Sequence, residues 1–406
     1  MPPGRGRSGS ATREAYGAAW LVAVLLVVPG ACSTGEPPVD RAEADPAGGG
    51  ASGETAGSPA AGGSPRRAGD GPGAAANDVA GVGPFGDEAR HLSGVRQLTF
   101  GGQNAEAYFG PGDSLITYQA TPDSGGCDRI FTMRVDGSGK RQVSSGEGVT
   151  TCSYFLPPDG QRLIYSSTHL AGPACPPRPS YDRGYVWPLH EGYDVFNARS
   201  DGRDLRRLTS EPGYDAEATV SRDGRRIVFT SVRDGDLEIY TMDPDGGSLK
   251  RLTHEPGYDG GAFFSSDGSR IVYRAHHPEP GPELEDYRAL LADALVRPSR
   301  MEIWVMDADG SNKRQVTRNG AANFAPYFFP DGERIVFASN VHDPDGRNFD
   351  LYAVRVDGTG LERLTFHPDF DAFPMFSADG RTLIWASNRN GGRPGETNVF
   401  TAAWRD

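Results

Sequence analysis

An excess of positive charge, a long apolar run and a helix-forming composition are all missing from this chain of 406 residues. Its 41 Lys and Arg, only a few of them Lys, stand against 54 Asp and Glu, a net charge of −13. Nucleic-acid binders displace counterions with a basic surface, so DNA and RNA are excluded as expected partners. The longest apolar stretch, Gly17 to Val28, has 12 residues; that is roughly 18 Å of helix against a hydrocarbon core of about 30 Å. Glycine (55) and proline (32) make up about a fifth of the residues, which argues against a helical bundle and for turn-rich β structure. Catalytic signatures are also missing. No G-x-S-x-G elbow, H-E-x-x-H helix or appended α/β domain occurs, and Gly137-Ser138-Gly139-Lys140 lacks the upstream glycine of a phosphate loop.

What is present begins with an address. Arg5, Arg7 and Arg13 precede the short apolar run, and Pro29-Gly30-Ala31-Cys32 ends it, so residues 1–31 read as a signal peptide. The placement of Cys32 after Gly30-Ala31 resembles a bacterial lipoprotein signal, which implies a lipidated Cys32; Pro29 departs from the Leu usual there, and ordinary secretion is the alternative. Cleavage removes three Arg and one Glu and takes the net charge from −13 to −15. Residues 32–88 are Gly, Ala, Pro and Ser with scattered charge, too poor in apolar surface to offset chain entropy, and read as a disordered tether.

From residue 91 to the end the chain repeats. Pro158-Asp159-Gly160, Arg222-Asp223-Gly224, Ser266-Asp267-Gly268, Pro330-Asp331-Gly332 and Ala378-Asp379-Gly380 are each followed by an apolar triplet ending in an aromatic, such as Ile227-Val228-Phe229. Pro111-Gly112-Asp113 starts a further copy. An Asp-Gly turn between β-rich runs is a strong hairpin signal. A second hairpin follows, with an aromatic five residues before another Asp-Gly, as in Tyr240 to Asp245-Gly246, and then Arg-Leu-Thr, as at Arg251-Leu252-Thr253. Each unit therefore has four strands, and six units spaced 44 to 64 residues apart fit an all-β, six-bladed β-propeller. The last unit lacks its Arg-Leu-Thr strand, and Val95-Arg96-Gln97-Leu98-Thr99 supplies one, so the N-terminal strand is expected to complete the last blade.

These repeats, with Phe376-Ser377-Ala378-Asp379-Gly380 and Glu238-Ile239-Tyr240-Thr241-Met242 as typical elements, resemble the Pro-Asp-Gly propeller repeats of TolB-type proteins over residues 91–406. TolB proper carries a folded α/β domain before its blades, and residues 33–88 cannot form one. The resemblance implies partner binding at the channel mouth, and the matching positions are Asp215, Asp259 and Asp371.

With strands running A to D outward, the Asp-Gly turns fall on one face, and the B-to-C loops and blade links on the other. The links carry Asn104, Glu106, Asp215, Glu217, Asp259, Asn323 and Asp371. Carboxylates ringing the channel mouth would attract a basic segment or a calcium or magnesium ion, with Asp215, Asp259 and Asp371 as candidate ligands; otherwise each caps its own strand or bonds to the neighbouring blade. Two insertions lengthen this face. Thr168 to Glu191 carries Tyr181, Tyr185 and Trp187, a recognition cluster or a cover for its blade. Glu279 to Arg297, in blade four, reads as a helix with Leu284, Tyr287, Leu291 and Leu295 on one side. Cys127, Cys152 and Cys175 are expected on the same face, and an exported chain meets oxidising conditions. Cys127 with Cys152 is the first expected disulfide, Cys152 with Cys175 the second. A Cys-His metal site with His169 is a further alternative.

The function expected is that of an exported, lipid-anchored, monomeric and non-catalytic scaffold in the periplasm, binding an envelope protein or peptide. The alternative is a metal-dependent hydrolase or lyase acting on polysaccharide or peptide polymer through His276, His277 and Glu279.

Overall fold

The computed structural model describes residues 85–344 and 346–406. The expected signal peptide, Cys32 and nearly all of the expected tether lie outside the described residues. Six four-stranded antiparallel sheets are arranged as the six blades of a propeller. Blade one runs Gln103–Phe109, Leu115–Thr121, Arg129–Arg134 and Arg141–Gln142, and the pattern repeats through blade five, which ends at Glu362–Arg363. In blade six, Asp371–Phe376, Thr382–Ser387 and Asn398–Trp404 are followed outward by Leu92–Gln97, which pairs antiparallel with Asn398–Trp404.

Each repeated motif has a local physical reason. In the first hairpin, Ser221 and the amide of Arg225 donate to Asp223 Oδ1 at 2.7 and 3.1 Å, and Gly224 sits at φ 71°, a left-handed conformation that glycine adopts without steric cost. The aromatic ending each triplet lies directly opposite the aromatic of the second hairpin. Tyr118–Phe131, Tyr165–Phe196, Phe229–Tyr240, Tyr273–Trp304, Phe337–Tyr352 and Trp385–Phe400 have ring centroids 5.5 to 6.4 Å apart, one cross-strand pair per blade.

The Arg-Leu-Thr motif explains why the outer strand is so short. Its leucine turns inward, as Leu98, Leu252 and Leu364 do, and its threonine hydroxyl accepts the amide of the residue before the blade's aromatic. Thr209, Thr253, Thr317, Thr365 and Thr99 accept from Val195, Ile239, Ile303, Leu351 and Val399 at 2.8 to 2.9 Å, and Ser144 serves Ile130 at 3.0 Å. A side chain thereby replaces the next ladder carbonyl.

The fold includes residues before 91. Gly86–Arg90 forms a 3₁₀ turn in which Glu88 is fully buried, its carboxylate bonded to Arg389 Nη1 and Nη2 at 3.2 and 3.0 Å. Arg389 also bonds Asp371 at 2.7 Å. Residues 85–88, expected as the end of the tether, are thus part of the fold, because a buried arginine needs their carboxylate.

Both insertions lie between the second and third strands of their blades. In blade four, α1 (Pro282–Ala292) is shorter than the helix expected over Glu279 to Arg297. The helical path stops where Ala294 takes φ 53°, and Leu295–Val296 becomes a strand paired antiparallel with Trp187–Pro188 from the blade-two insertion. Among the described residues, no helix is long and apolar enough to cross a membrane.

Candidate functional site

All six innermost strands slip register at the same place. The irregularity holds Glu106, Cys152, Glu217, Gly261, Ala325 and Phe373 at φ 48° to 61°, and one such residue per blade lines a cavity on the propeller axis. A β-bulge of this kind re-aims a side chain that a regular strand would direct elsewhere. Two residues further along, aromatic side chains from different blades meet. Tyr108 and Phe263, from blades one and four, are 5.4 Å apart, and Tyr154–Phe263 and Phe263–Tyr327 follow at 6.1 and 5.5 Å. Rings from opposite blades in contact mean that the axis is filled at this level.

The two insertions form a roof at the other end of the cavity. Trp187–Pro188 and Leu295–Val296 make a two-stranded ribbon joining blades two and four, Leu189 donates to Ala294 O at 2.8 Å, and Arg183 pairs with Asp293 at 2.6 Å. Between plug and roof lies a volume of about 360 Å³. Its size is that of a small-ligand site.

The walls are unlike one another. Blades five and six contribute Phe324, Ala325, Phe370, Ala372 and Phe373. Blades one to four contribute the charged groups. Glu217 is ion-paired with Arg274 and accepts the Tyr258 hydroxyl at 3.0 Å. Arg274 is buried and lies over Trp187, Tyr258 and Phe324 at 5.4, 5.5 and 5.9 Å from the ring centroids. Burial acts to lower its basicity, but Glu217 and Tyr258 outweigh that and hold it fully charged.

Glu106 has no such cation. Its Oε2 accepts the Cys152 amide at 3.1 Å, and burial, with added repulsion from Glu217 and Asp128, pushes its pKa up to about 7. Gln119 ties this wall together, accepting from the Cys152 amide at 3.1 Å and from Thr151 Oγ1 at 2.9 Å, with its own amide 3.4 Å from Asp128 Oδ2. Asp128 also accepts the Thr121 hydroxyl, and burial raises its pKa. Burial pushes the Cys152 thiol up and His190 down, so both are neutral at pH 7.

Of the expected channel-mouth residues, the structure brings Glu106 and Glu217 to the cavity and takes the others away from it. Asp215, Asp259 and Asp371 are 0 to 2% exposed, each held by a side chain of its own blade: Arg233 at 2.9 Å, His277 at 3.1 Å and Arg389 at 2.7 Å. Asn104 donates to Thr397 O at 3.1 Å, and Asn323 donates to Met301 O at 2.7 Å. The strand start buries these side chains against polar groups of their own or the adjacent blade, so the accessible ring of Asp215, Asp259 and Asp371, offered as a cation site, is corrected. No cluster able to hold a metal occurs among the described residues.

The aromatic insertion also differs from the exposed patch expected. Tyr181 is 54% exposed, but Trp187 packs on Phe324 with centroids 5.3 Å apart and donates to the Tyr185 hydroxyl at 2.9 Å, so Tyr185 and Trp187 line the cavity from above. The disulfide is Cys127–Cys175, neither pairing expected, with Cα atoms 5.6 Å apart. Cys152 is the bulge residue of its strand and points to the axis, which removes it from the loops that Cys127 and Cys175 occupy. With Cys127 and Cys175 oxidised and the free Cys152 facing the axis, His169 packs instead on Phe196 at 4.5 Å and bonds Ser167 at 2.8 Å. His276 and His277 diverge: His277 Nε2 faces Asp259 at 3.1 Å, and His276 Nε2 is 3.6 Å from Glu283.

Sequence reasoning missed Arg274, Gln119, Asp128 and the Tyr193 and Tyr214 that complete the lining. A signal existed for the ring itself. Aligning the six innermost strands on Asn104, Thr150, Asp215, Asp259, Asn323 and Asp371 puts Glu106, Cys152, Glu217, Gly261, Ala325 and Phe373 two residues on.

Comparison with known proteins bears on the fold. Residues 189–281 and 287–394 match the family described as TolB beta propeller domain. The solved structure of a putative TolB from Agrobacterium tumefaciens is 20% identical, with 75% of this chain and 91% of that one covered at a TM-score of 0.49. TolB from Acinetobacter baumannii is 18% identical over 74% of this chain and 63% of its own, at 0.48. A gluconolactonase from Xanthomonas campestris is 14% identical over 82% and 98%, also at 0.48. The six-bladed domain is a TolB-type β-propeller.

Proposed function

From this TolB-type propeller we propose a non-catalytic binding protein of the bacterial cell envelope. It is exported to the periplasm, anchored through lipidated Cys32, and takes a protein or peptide partner at the roofed end of its channel. One observation carries the reading: the axis is filled by Tyr108, Phe263 and Tyr327 at one level and roofed by two insertions at the other, leaving a lined receptacle and no through-channel. Exposed Tyr181 and the half-buried Tyr185 and Trp187 beside it supply the aromatic contact area that recognition surfaces favour.

Retention of envelope proteins by the immobilised full chain tests it. Tyr181→Ala and Trp187→Ala should release proteins that Leu205→Ala, on a hairpin of the opposite face, retains. Equal retention by all three would overturn the reading, as would turnover of an envelope polymer by the wild type. The anchor is tested separately: Cys32→Ala should move the protein from the membrane fraction to the soluble one, and unchanged partition rejects it.

A further inference from the structure

Resting on the partner-binding reading, we propose that the group received by the channel cavity is a primary ammonium on an apolar stem, its charge on Glu106 and its stem along Ala325, Phe370 and Phe373. The ring of six bulge residues is divided into halves: Glu106, Cys152 and Glu217 on one side, Gly261, Ala325 and Phe373 on the other. A ligand filling it is therefore polar at one end only.

The carboxylates decide the sign of that end. Glu217 is neutralised by Arg274 and bonded to Tyr258, and Asp128 is bonded to Thr121 with Arg129 beside it. Among the described residues Glu106 receives hydrogen bonds from Cys152 alone, through its amide at 3.1 Å and its neutral thiol. Arg274, already paired, is the only arginine or lysine lining the cavity among the described residues. An anion would meet three carboxylates with no free cation to offset them, and a neutral apolar ligand would leave the Glu106 carboxylate dry and unpaired, which is costly. An ammonium satisfies it, and Tyr185, Tyr193 and Tyr214 also line the cavity, aromatic rings being favourable neighbours for a cation rather than an anion.

Such an ammonium could come from a lysine side chain of the partner or from a free amine. Titration calorimetry on the full chain at pH 8 separates ligand classes with pentylamine, pentanol and pentanoate. Pentylamine should bind at least about tenfold more tightly than the other two, a difference of about 1.4 kcal/mol, and Glu106→Gln should abolish that preference. The groups facing Glu106 are Asp128, Cys152, Glu217, Arg274, His190, Tyr108, Tyr193 and Tyr214. With the Glu106 pKa at about 7, pentylamine affinity for the wild type should rise up to about 30-fold from pH 5.5 to 8, since ionisation changes tenfold per unit below the pKa. This series needs no variant to fold.

Equal binding of pentanoate or pentanol, an unaltered preference in Glu106→Gln, or a flat pH series would each overturn the proposal. Tighter binding of acetyl-Gly-Lys-Gly-amide than of pentylamine identifies a chain-borne lysine, and the reverse a free amine. If Glu106→Gln retains every envelope protein that Trp187→Ala loses, the ammonium fails while the partner reading stands. If pentylamine binds through Glu106 and no envelope protein is retained, the partner reading fails alone.

Discussion

Replacing Arg389 by alanine should be among the most damaging single changes in this domain. The side chain is fully buried and bridges two fully buried carboxylates, bonding Glu88 at 3.0 and 3.2 Å and Asp371 at 2.7 Å, with Ser387 at 3.0 Å. It also lies over the rings of Trp385 and Phe85 at 5.1 and 5.4 Å. Removing the cation leaves both carboxylates without a counter-charge, and breaking a buried pair in this way costs about 3–5 kcal/mol. The same change at Arg381, 86% exposed and 3.9 Å from Asp379, removes a solvated pair and should cost less than about 0.5 kcal/mol. Two to four degrees per kcal/mol is usual for domains somewhat smaller than this one, so Arg389→Ala should lower Tm by roughly 6–20 °C and Arg381→Ala by no more than about 2 °C. Scanning calorimetry at pH 7 on both variants decides it. A drop for Arg389→Ala no larger than for Arg381→Ala would refute the claim that the N-terminal turn is electrostatically bound to blade six.

The other predictions concern the disulfide, the outer strands and the cavity acid. Cys127 and Cys175 are 48 residues apart in sequence, so Cys175→Ser should cost up to about 4 kcal/mol on the chain-entropy account, read by urea denaturation; an unchanged midpoint would sink it. Without reductant, thiol titration of the urea-unfolded propeller, residues 85–406, should find a single group, Cys152, and a second reactive thiol would contradict the pairing. Thr365→Val leaves the buried Leu351 amide without its acceptor and should cost about 1–3 kcal/mol, whereas wild-type stability in that variant would show that the hydroxyl is dispensable. Glu106 has a folded-state pKa raised from 4.5 to about 7, so the folded state holds the extra proton and its contribution to stability falls as pH rises from about 4.5 to 7. Glu106→Gln should remove that decline, worth up to about 3 kcal/mol, from a plot of ΔG against pH; coincident slopes for variant and wild type would reject the assignment.

The repeat was readable because each blade's needs are local. An Asp-Gly turn, two facing aromatics and a threonine acceptor recur at fixed spacing, and that spacing alone gives Phe229, Tyr240 and Thr253 their blade positions. Family resemblance pointed to the channel mouth, and the cavity does lie on the axis. The residues drawn from it were displaced by two positions. Asp215, Asp259 and Asp371 look like a ligand set in sequence because they are acidic and periodic, yet burial turns them into partners for Arg233, His277 and Arg389. Arg274 was invisible because it sits inside an apolar strand, where only its approach to Glu217 from the neighbouring blade gives it meaning. The disulfide failed for a similar reason. Three cysteines fall near one face, but a single bulge rotates Cys152 out of reach, and nothing in its sequence neighbourhood announces that rotation.

The left-handed backbone at each bulge also sets the alphabet from which the receptacle can be composed. Valine, isoleucine and threonine are disfavoured at those spokes by their branched Cβ, whereas glycine, unbranched acids and amides, and with some strain alanine or phenylalanine, are admitted. Every spoke belongs to a different sheet, yet neighbouring spokes touch, Glu106 accepting from the Cys152 amide and Glu217 from the Gly261 amide, so a letter is exchanged in concert with its neighbour. Evolution or an engineer can therefore respecify what the protein holds by editing six scattered codons, with the wheel around them left as it is.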